Sequence, residues 1–313
     1  MPVTLQSPRL ADLARQCLAE TPDLPRPGAG QTLQRWQALA ALGARDLALA
    51  KVLEAHYDAR AILADLGQPL PAPDTLLAVW AAEAPGAVLS AGVCGTLDGS
   101  KAWCSGAGLV DAALVTVREG ALPGLYLLPI SAAVTRDCDE WPAPGMALIA
   151  STTIHATEAA ATRQGTTEAY LERPGFWHGG AGIAAVWLGA AGALVAAMQA
   201  RAQGEVRARL AGEAVMALAP AMALLRELAL RIDTDPAQAH RAQVVLARSV
   251  AERACTRILD LAGRALGPGP MCLEPEHARR WADLTVFIRQ SHADRDWAWL
   301  GSETQALEST WRL

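Results

Sequence analysis

Two stretches of this chain combine residue types that could do chemistry. The first is Gly92–Val117, GVCGTLDGSKAWCSGAGLVDAALVTV. Trp103 ends a strand-like run and is followed by Ser105-Gly106-Ala107-Gly108. Small residues beside a Trp at a strand end let a flat ligand come close to the backbone. An ordinary sandwich hairpin fits the same residues: Val93–Leu97 alternates, Asp98-Gly99 is a tight-turn pair, and Lys101–Cys104 starts the return strand. The second stretch is Arg289-Gln290-Ser291-His292. Imidazole suits proton transfer near neutral pH, and His292 stands four residues before Asp296. A solvated helix face of Arg289, Asp294, Arg295 and Asp296 accounts for the same charges. His56, with Asp58 nearby, reads as a structural helix residue.

Composition limits the partners. The 313 residues are 52% apolar and 19% charged, with a net charge of −5. Such a chain has room for two or three cores. The acidic balance argues against nucleic acid and against a polybasic membrane patch. The six cysteines form no CxxC pair and no metal-like spacing with His, so they read as small buried hydrophobes in a reducing, cytoplasmic setting. The first residues lack a basic segment followed by an apolar run, so no secretion signal is expected. Gly179–Ala200 contains no charged residue and is long enough to span a bilayer. Gly and Ala fill it, however, and it reads as a central bundle helix rather than a membrane span.

The elements that must carry these residues follow from periodicity. Helices are expected from Pro8 to Leu18, from Thr32 past Leu42, and from Asp46 onward to Gly67. The Pro-rich QPLPAPDT is the first linker. Strands are expected at Leu76–Ala82, Ala112–Val117, Gly124–Ile130, Val134–Asp137 and Ser151–Thr157. After Arg173-Pro174-Gly175 come four long helical stretches at 178–203, 205–233, 236–264 and 276–302, a four-helix-bundle pattern. The domains expected are 1–73 (helical), 74–172 (β) and 173–313 (bundle).

The run Leu97-Asp98-Gly99-Ser100-Lys101-Ala102-Trp103-Cys104-Ser105 resembles the acyl-CoA dehydrogenase family, in which a turn, Gly, x, Lys, x, Trp, Ile, Thr marks the middle β-domain. Glu83, Pro85, Gly86 and Ala87 echo the family's Thr-Glu-Pro-Gly-Ala loop, and Arg264-Ala265-Leu266-Gly267-Pro268-Gly269 is similar to its adenosine-binding loop. The resemblance implies an α+β fold of N-terminal helices, a β-barrel-like middle domain and a C-terminal four-helix bundle. It implies FAD, with Trp103 against the isoalloxazine, Ser105 hydrogen-bonded to it, and Arg264 and Gly267 at the diphosphate; the alternative for that last loop is a plain interhelix turn. It also implies a homodimer or homotetramer and an electron-transfer partner.

The family's catalytic Glu has no counterpart in the corresponding stretch, because 282–296 contains no Glu and Arg289 and His292 stand there instead; some members place the base on an earlier helix, where this chain has Glu213 and Glu227. The function expected is therefore an FAD-dependent oxidoreductase acting on an acyl thioester or related carbonyl compound without the usual base. The alternatives are a flavin monooxygenase using His292, or a flavin-free homologue serving as a binding or assembly subunit.

Overall fold

The computed structural model describes residues 7–92, 95–119, 122–137, 141–303 and 307. Its elements alternate in three blocks. Helices α1 (Ser7–Glu20), α2 (Thr32–Arg45) and α3 (Leu47–Asp65) come first. Eight strands follow: β1 (Leu77–Trp80), β2 (Leu89–Ala91), β3 (Thr96–Ser105), β4 (Ala112–Glu119), β5 (Leu122–Pro129), β6 (Val134–Arg136), β7 (Ser151–Ala160) and β8 (Thr162–Thr166). The last block is α4 (Thr167–Glu172), α5 (Pro174–Ala200), α6 (Glu205–Thr234), α7 (Arg241–Leu266), α8 (Pro268–Leu273), α9 (Pro275–Phe287) and α10 (Asp294–Ser302). This is the expected α+β architecture.

By compactness the chain divides into two units. The first comprises Met1–Leu24, Lys51–Ala143 and Ala147–Phe176. Its sheet runs β6-β7-β3-β2-β4-β5-β8, with β1 parallel to β4. The apolar face of α3 anchors to this sheet: Ala59, Ile62 and Leu63 pack with Leu77, Ala112, Leu114 and Leu125 in one buried cluster. Burying each of the leucines and Ile62 contributes roughly 1.5–3 kcal/mol. His56 adds a polar clasp, its Nδ1 accepting from the Leu77 N–H at 3.2 Å. Burial, followed by the nearby Arg60, lowers its pKa to about 4, so the ring is neutral at pH 7 and structural.

The second unit comprises Pro25–Ala50, Pro144–Met146 and Trp177–Leu313. Its centre is α5, the one described helix long and apolar enough to cross a membrane; the apolar window is 72% buried inside the protein. Small residues there permit near backbone contact with α2. A Cβ on Gly189 would lie 2.0 Å from the Ala40 carbonyl oxygen, and one on Gly43 would lie 2.2 Å from that of Val186. Trp187 of α5 meets Phe287 of α9 edge to face at 6.2 Å.

Two local expectations are corrected. Asp98-Gly99 is not a hairpin tip. Both residues lie inside the continuous strand β3, where the pairing with β7 shifts register between Leu97 and Gly99. Gly99 takes φ +113° because Val88 O would sit 2.2 Å from any Cβ there. The hairpin is instead β2–β3, and its connection includes Val93 and Cys94, which lie outside the described residues. Cys138 lies outside them as well. The stretch 276–302 is not one helix either: α9 ends at Phe287, a 3-10 turn covers Ile288–Gln290, and Ala293 at φ +46° breaks the path before α10.

Candidate functional site

Within the first unit, the chemistry-bearing residues gather on the end of β3. Strict alternation would put Lys101, Trp103 and Ser105 on one face. A second register shift against β7, between Lys101 and Cys104, breaks that alternation. Trp103 there has φ +62°. Lys101 and Cys104 are buried, while Trp103 is 56% exposed. A left-handed bulky residue costs on the order of 1–3 kcal/mol and persists where the surroundings impose it. Such outliers concentrate at ligand sites.

The residues flanking Trp103 on β3 are hydrogen-bonded. Ser105 Oγ pairs with Ser151 Oγ at 2.6 Å. Its carbonyl accepts from Trp80 Nε1 at 3.0 Å. Lys101 Nζ donates to Glu83 Oε1 and to Thr116 Oγ1, each at 2.7 Å, and Thr116 Oγ1 donates to the same Glu83 oxygen at 2.8 Å. On Glu83, burial raises the pKa, but the Lys101 and Thr116 bonds outweigh it and hold the carboxyl below its ordinary value. Sequence reading placed Lys101 in a motif without giving it a role; its partners come from the segment after β1 and from β4 and are visible only once the sheet is folded.

Within the second unit, Arg289 is tied down on α7, its Nη2 reaching Glu252 Oε1 at 2.9 Å and Thr256 Oγ1 at 3.0 Å. His292 does not stand on a helix, because it falls in the break before α10. Its side chain is 65% exposed and lies 3.6 Å from Asp296. Arg264, on the last turn of α7, is half exposed and 3.8 Å from Asp260. Gly267 ends that helix at φ +70°, its N–H donating to Gly263 O at 3.0 Å. Pro268 and Pro270, which follow, have no N–H to offer.

Sequence reading also missed Asp283. This carboxylate on α9 is 2% exposed and accepts from the Met146 N–H at 2.5 Å. Burial raises its pKa to about 6, against the Met146 bond. A Cβ on Gly145 would lie 2.3 Å from Ala282 O, so the 144–146 backbone rests directly on α9.

No family model and no curated protein matches the chain. Solved structures do. Butyryl-CoA dehydrogenase from Megasphaera elsdenii superimposes with a TM-score of 0.79 at 15% identity, covering 94% of this chain and 90% of that one. TdsC from Paenibacillus sp. A11-2, in complex with FMN and indole, gives 0.73 at 17% identity, with 95% of each chain covered. The ChsE4–ChsE5 complex from Mycobacterium tuberculosis gives 0.73 at 18% identity over 96% of this chain and 87% of that one. At these identities the likeness is one of architecture, and the chain has the acyl-CoA dehydrogenase-like fold.

Proposed function

We propose that this chain is a flavin-dependent oxidoreductase acting on an acyl thioester or related carbonyl compound, without the usual Glu base. Trp103 carries the reading: a strained, outward-facing indole beside the Ser105–Ser151 hydroxyl pair, on a fold shared with the FMN-bound TdsC. These residues fit the ring end of a flavin. The indole offers an aromatic face, and the serine hydroxyls can donate or accept at a heterocycle edge. The diphosphate end fits less well. The prolines at 268 and 270 thin the backbone donors, and Arg264 has Asp260 beside it. When bound, a flavin supplies hydride or electron transfer.

The chain's own residues then set limits on the reaction. Arg289 is held by Glu252, and a guanidinium has donors but no acceptor, so it can orient an anionic or carbonyl oxygen but cannot abstract a proton. The long helix α5 contains no acidic residue to stand in for a missing base. His292 supports a second reading, that of a flavin monooxygenase. It stands outside any helix and is exposed, with Asp296 nearby, and an imidazole there can pass a proton to or from a bound substrate. Assembly with a second copy is proposed on α6, whose exposed side includes Gly212, Met216, Ala219, Ala223 and Leu230. A flavin-free binding subunit is the alternative that the flavin titration decides.

The test is titration of purified protein with FMN and with FAD, followed by fluorescence. Saturable binding is expected. Trp103→Ala should weaken it about tenfold, the effect of losing roughly 1.5 kcal/mol of stacking, with unchanged far-UV circular dichroism. Absence of binding, or equal affinity in the variant, would overturn the reading.

A further inference from the structure

We infer that Lys101 is a positioning residue: it fixes the 81–88 segment along the part of β3 that carries Trp103 and so sets the shape of the flavin-ring site. The second half of this inference rests on the flavin reading above. The first half rests on geometry alone.

The segment 81–88 leaves β1 and returns as β2, and it is fastened to the same few residues of β3 at three places. At its start, Trp80 Nε1 donates to Ser105 O at 3.0 Å. At its end, Val88 O accepts from Ser100 N at 3.0 Å, where Gly99 lets the backbones close in. Between them, Lys101 Nζ holds Glu83 Oε1 at 2.7 Å. Trp103 therefore stands on a strand stretch whose companion segment is pinned on both sides of it. The interior of that segment turns at Gly86 (φ +83°) and closes with a bridge between Ala84 and Ala87.

The middle fastening is unusual in its chemistry. The Lys101 side chain is 3% exposed, while that of its partner Glu83 is 73% exposed. A buried ammonium is a poor device for stability alone, since an apolar side chain of similar volume would serve as well or better. It is a good device for location. The three Nζ protons need acceptors, and Glu83 Oε1 and Thr116 Oγ1 at 2.7 Å supply two of them. Thr116 Oγ1 also lies 3.5 Å from Ala81 O, joining β4 to the same corner. A shift of the segment away from β3 would leave the ammonium short of its carboxylate in a dry site. Removing Lys101 abolishes that penalty and leaves Glu83, 73% exposed, with solvent and the Thr116 hydroxyl as its partners, so Lys101→Met should fold.

The experiment has two arms on the full-length protein. Amide hydrogen exchange of residues 82–88, measured without flavin, should speed up at least about tenfold in Lys101→Met and in Glu83→Gln, while amides of α5 and α7 keep their wild-type rates. Flavin affinity should fall about tenfold in each variant, and the double variant should lose no more than either single one, because both break the same contact. Unchanged exchange in 82–88 would overturn the positioning role whatever the flavin does. Faster exchange with unchanged flavin affinity would overturn the link to the ring site. A wild type that binds no flavin, with exchange altered as expected, would overturn the flavin reading and the link while leaving Lys101 as the fastener of the segment.

Discussion

Replacing Asp283 by Asn should stabilise the protein, and by an amount that depends on pH. Asp283 is buried on α9 with Met146 N–H as its donor, while its neighbour Arg279 is committed to Asp46 at 2.6 Å. Burial, partly offset by the Met146 bond, raises its pKa from 3.8 to about 6. A gap of that size is worth about 3 kcal/mol between the charged and neutral forms. The folded pKa lies above the unfolded one, so this group's contribution to stability is fully present below 3.8 and is lost as pH rises through 6. Asn keeps a carbonyl oxygen for the Met146 N–H and carries no charge at any pH.

Urea denaturation of both proteins at several pH values checks this. At pH 7.5 the Asn variant should be more stable by up to about 3 kcal/mol, and near pH 5 that advantage should shrink to about half. Below the unfolded pKa the two proteins should converge. An Asn variant less stable than wild type at pH 7.5, or a difference that ignores pH, would refute the reasoning. The first outcome would mean that the charge is matched by Arg279 after all, and the second that protonation of Asp283 is not linked to folding.

Two further outcomes are expected. Gly189→Ala puts a methyl about where Ala40 O now sits, so α2 and α5 must separate; a loss of about 1–3 kcal/mol or more, read as a lower Tm, is expected, and an unchanged Tm would mean the helices separate freely. With flavin and an artificial electron acceptor, a panel of saturated acyl-CoAs should turn over slowly or not at all; rates of about 1 s⁻¹ or more that survive Arg289→Ala and His292→Ala would show that a base lies elsewhere.

How far the fold was legible depended on whether local signals had one meaning or two. The N-terminal helices were legible from their apolar period, and α3 runs on from Leu47 to Asp65 as that period requires. Gly267-Pro268-Gly269-Pro270 broke the chain where expected, since Pro cannot continue a helix without loss. Asp98-Gly99 misled because Gly serves a two-residue turn and a bulge equally well. What decides between them is the approach of Val88 O, a contact from another strand. The break after Phe287 carries no Gly or Pro at all; Ala293 adopts φ +46° without any residue type that signals it. The short strand β8, TRQGT, is polar and was invisible to an apolar period.

The same distinction governs the site. Trp103 and Ser105 stood out through the motif they resemble, since residue type alone fits an ordinary hairpin equally well. Residue type could not rank Lys101, Arg289 and Asp283, because the behaviour of a charge depends on what faces it. Arg289 and Lys101 are both cations paired to a glutamate, yet their burial is reversed. At Arg289 the guanidinium is exposed and Glu252 is buried, so the arginine closes over a carboxylate of α7. At Lys101 the ammonium is buried and Glu83 is exposed, so the lysine draws a surface loop inward. The first arrangement satisfies the core; the second holds the edge of a site. The β3 bulge lies just beyond the second: Trp103 turns outward there, and Lys101 and Cys104 are both buried although they stand three residues apart, which strict alternation would place on opposite faces. The left-handed Trp103 and the buried Cys104 thus both belong to one register shift that begins just beyond the paired Lys101.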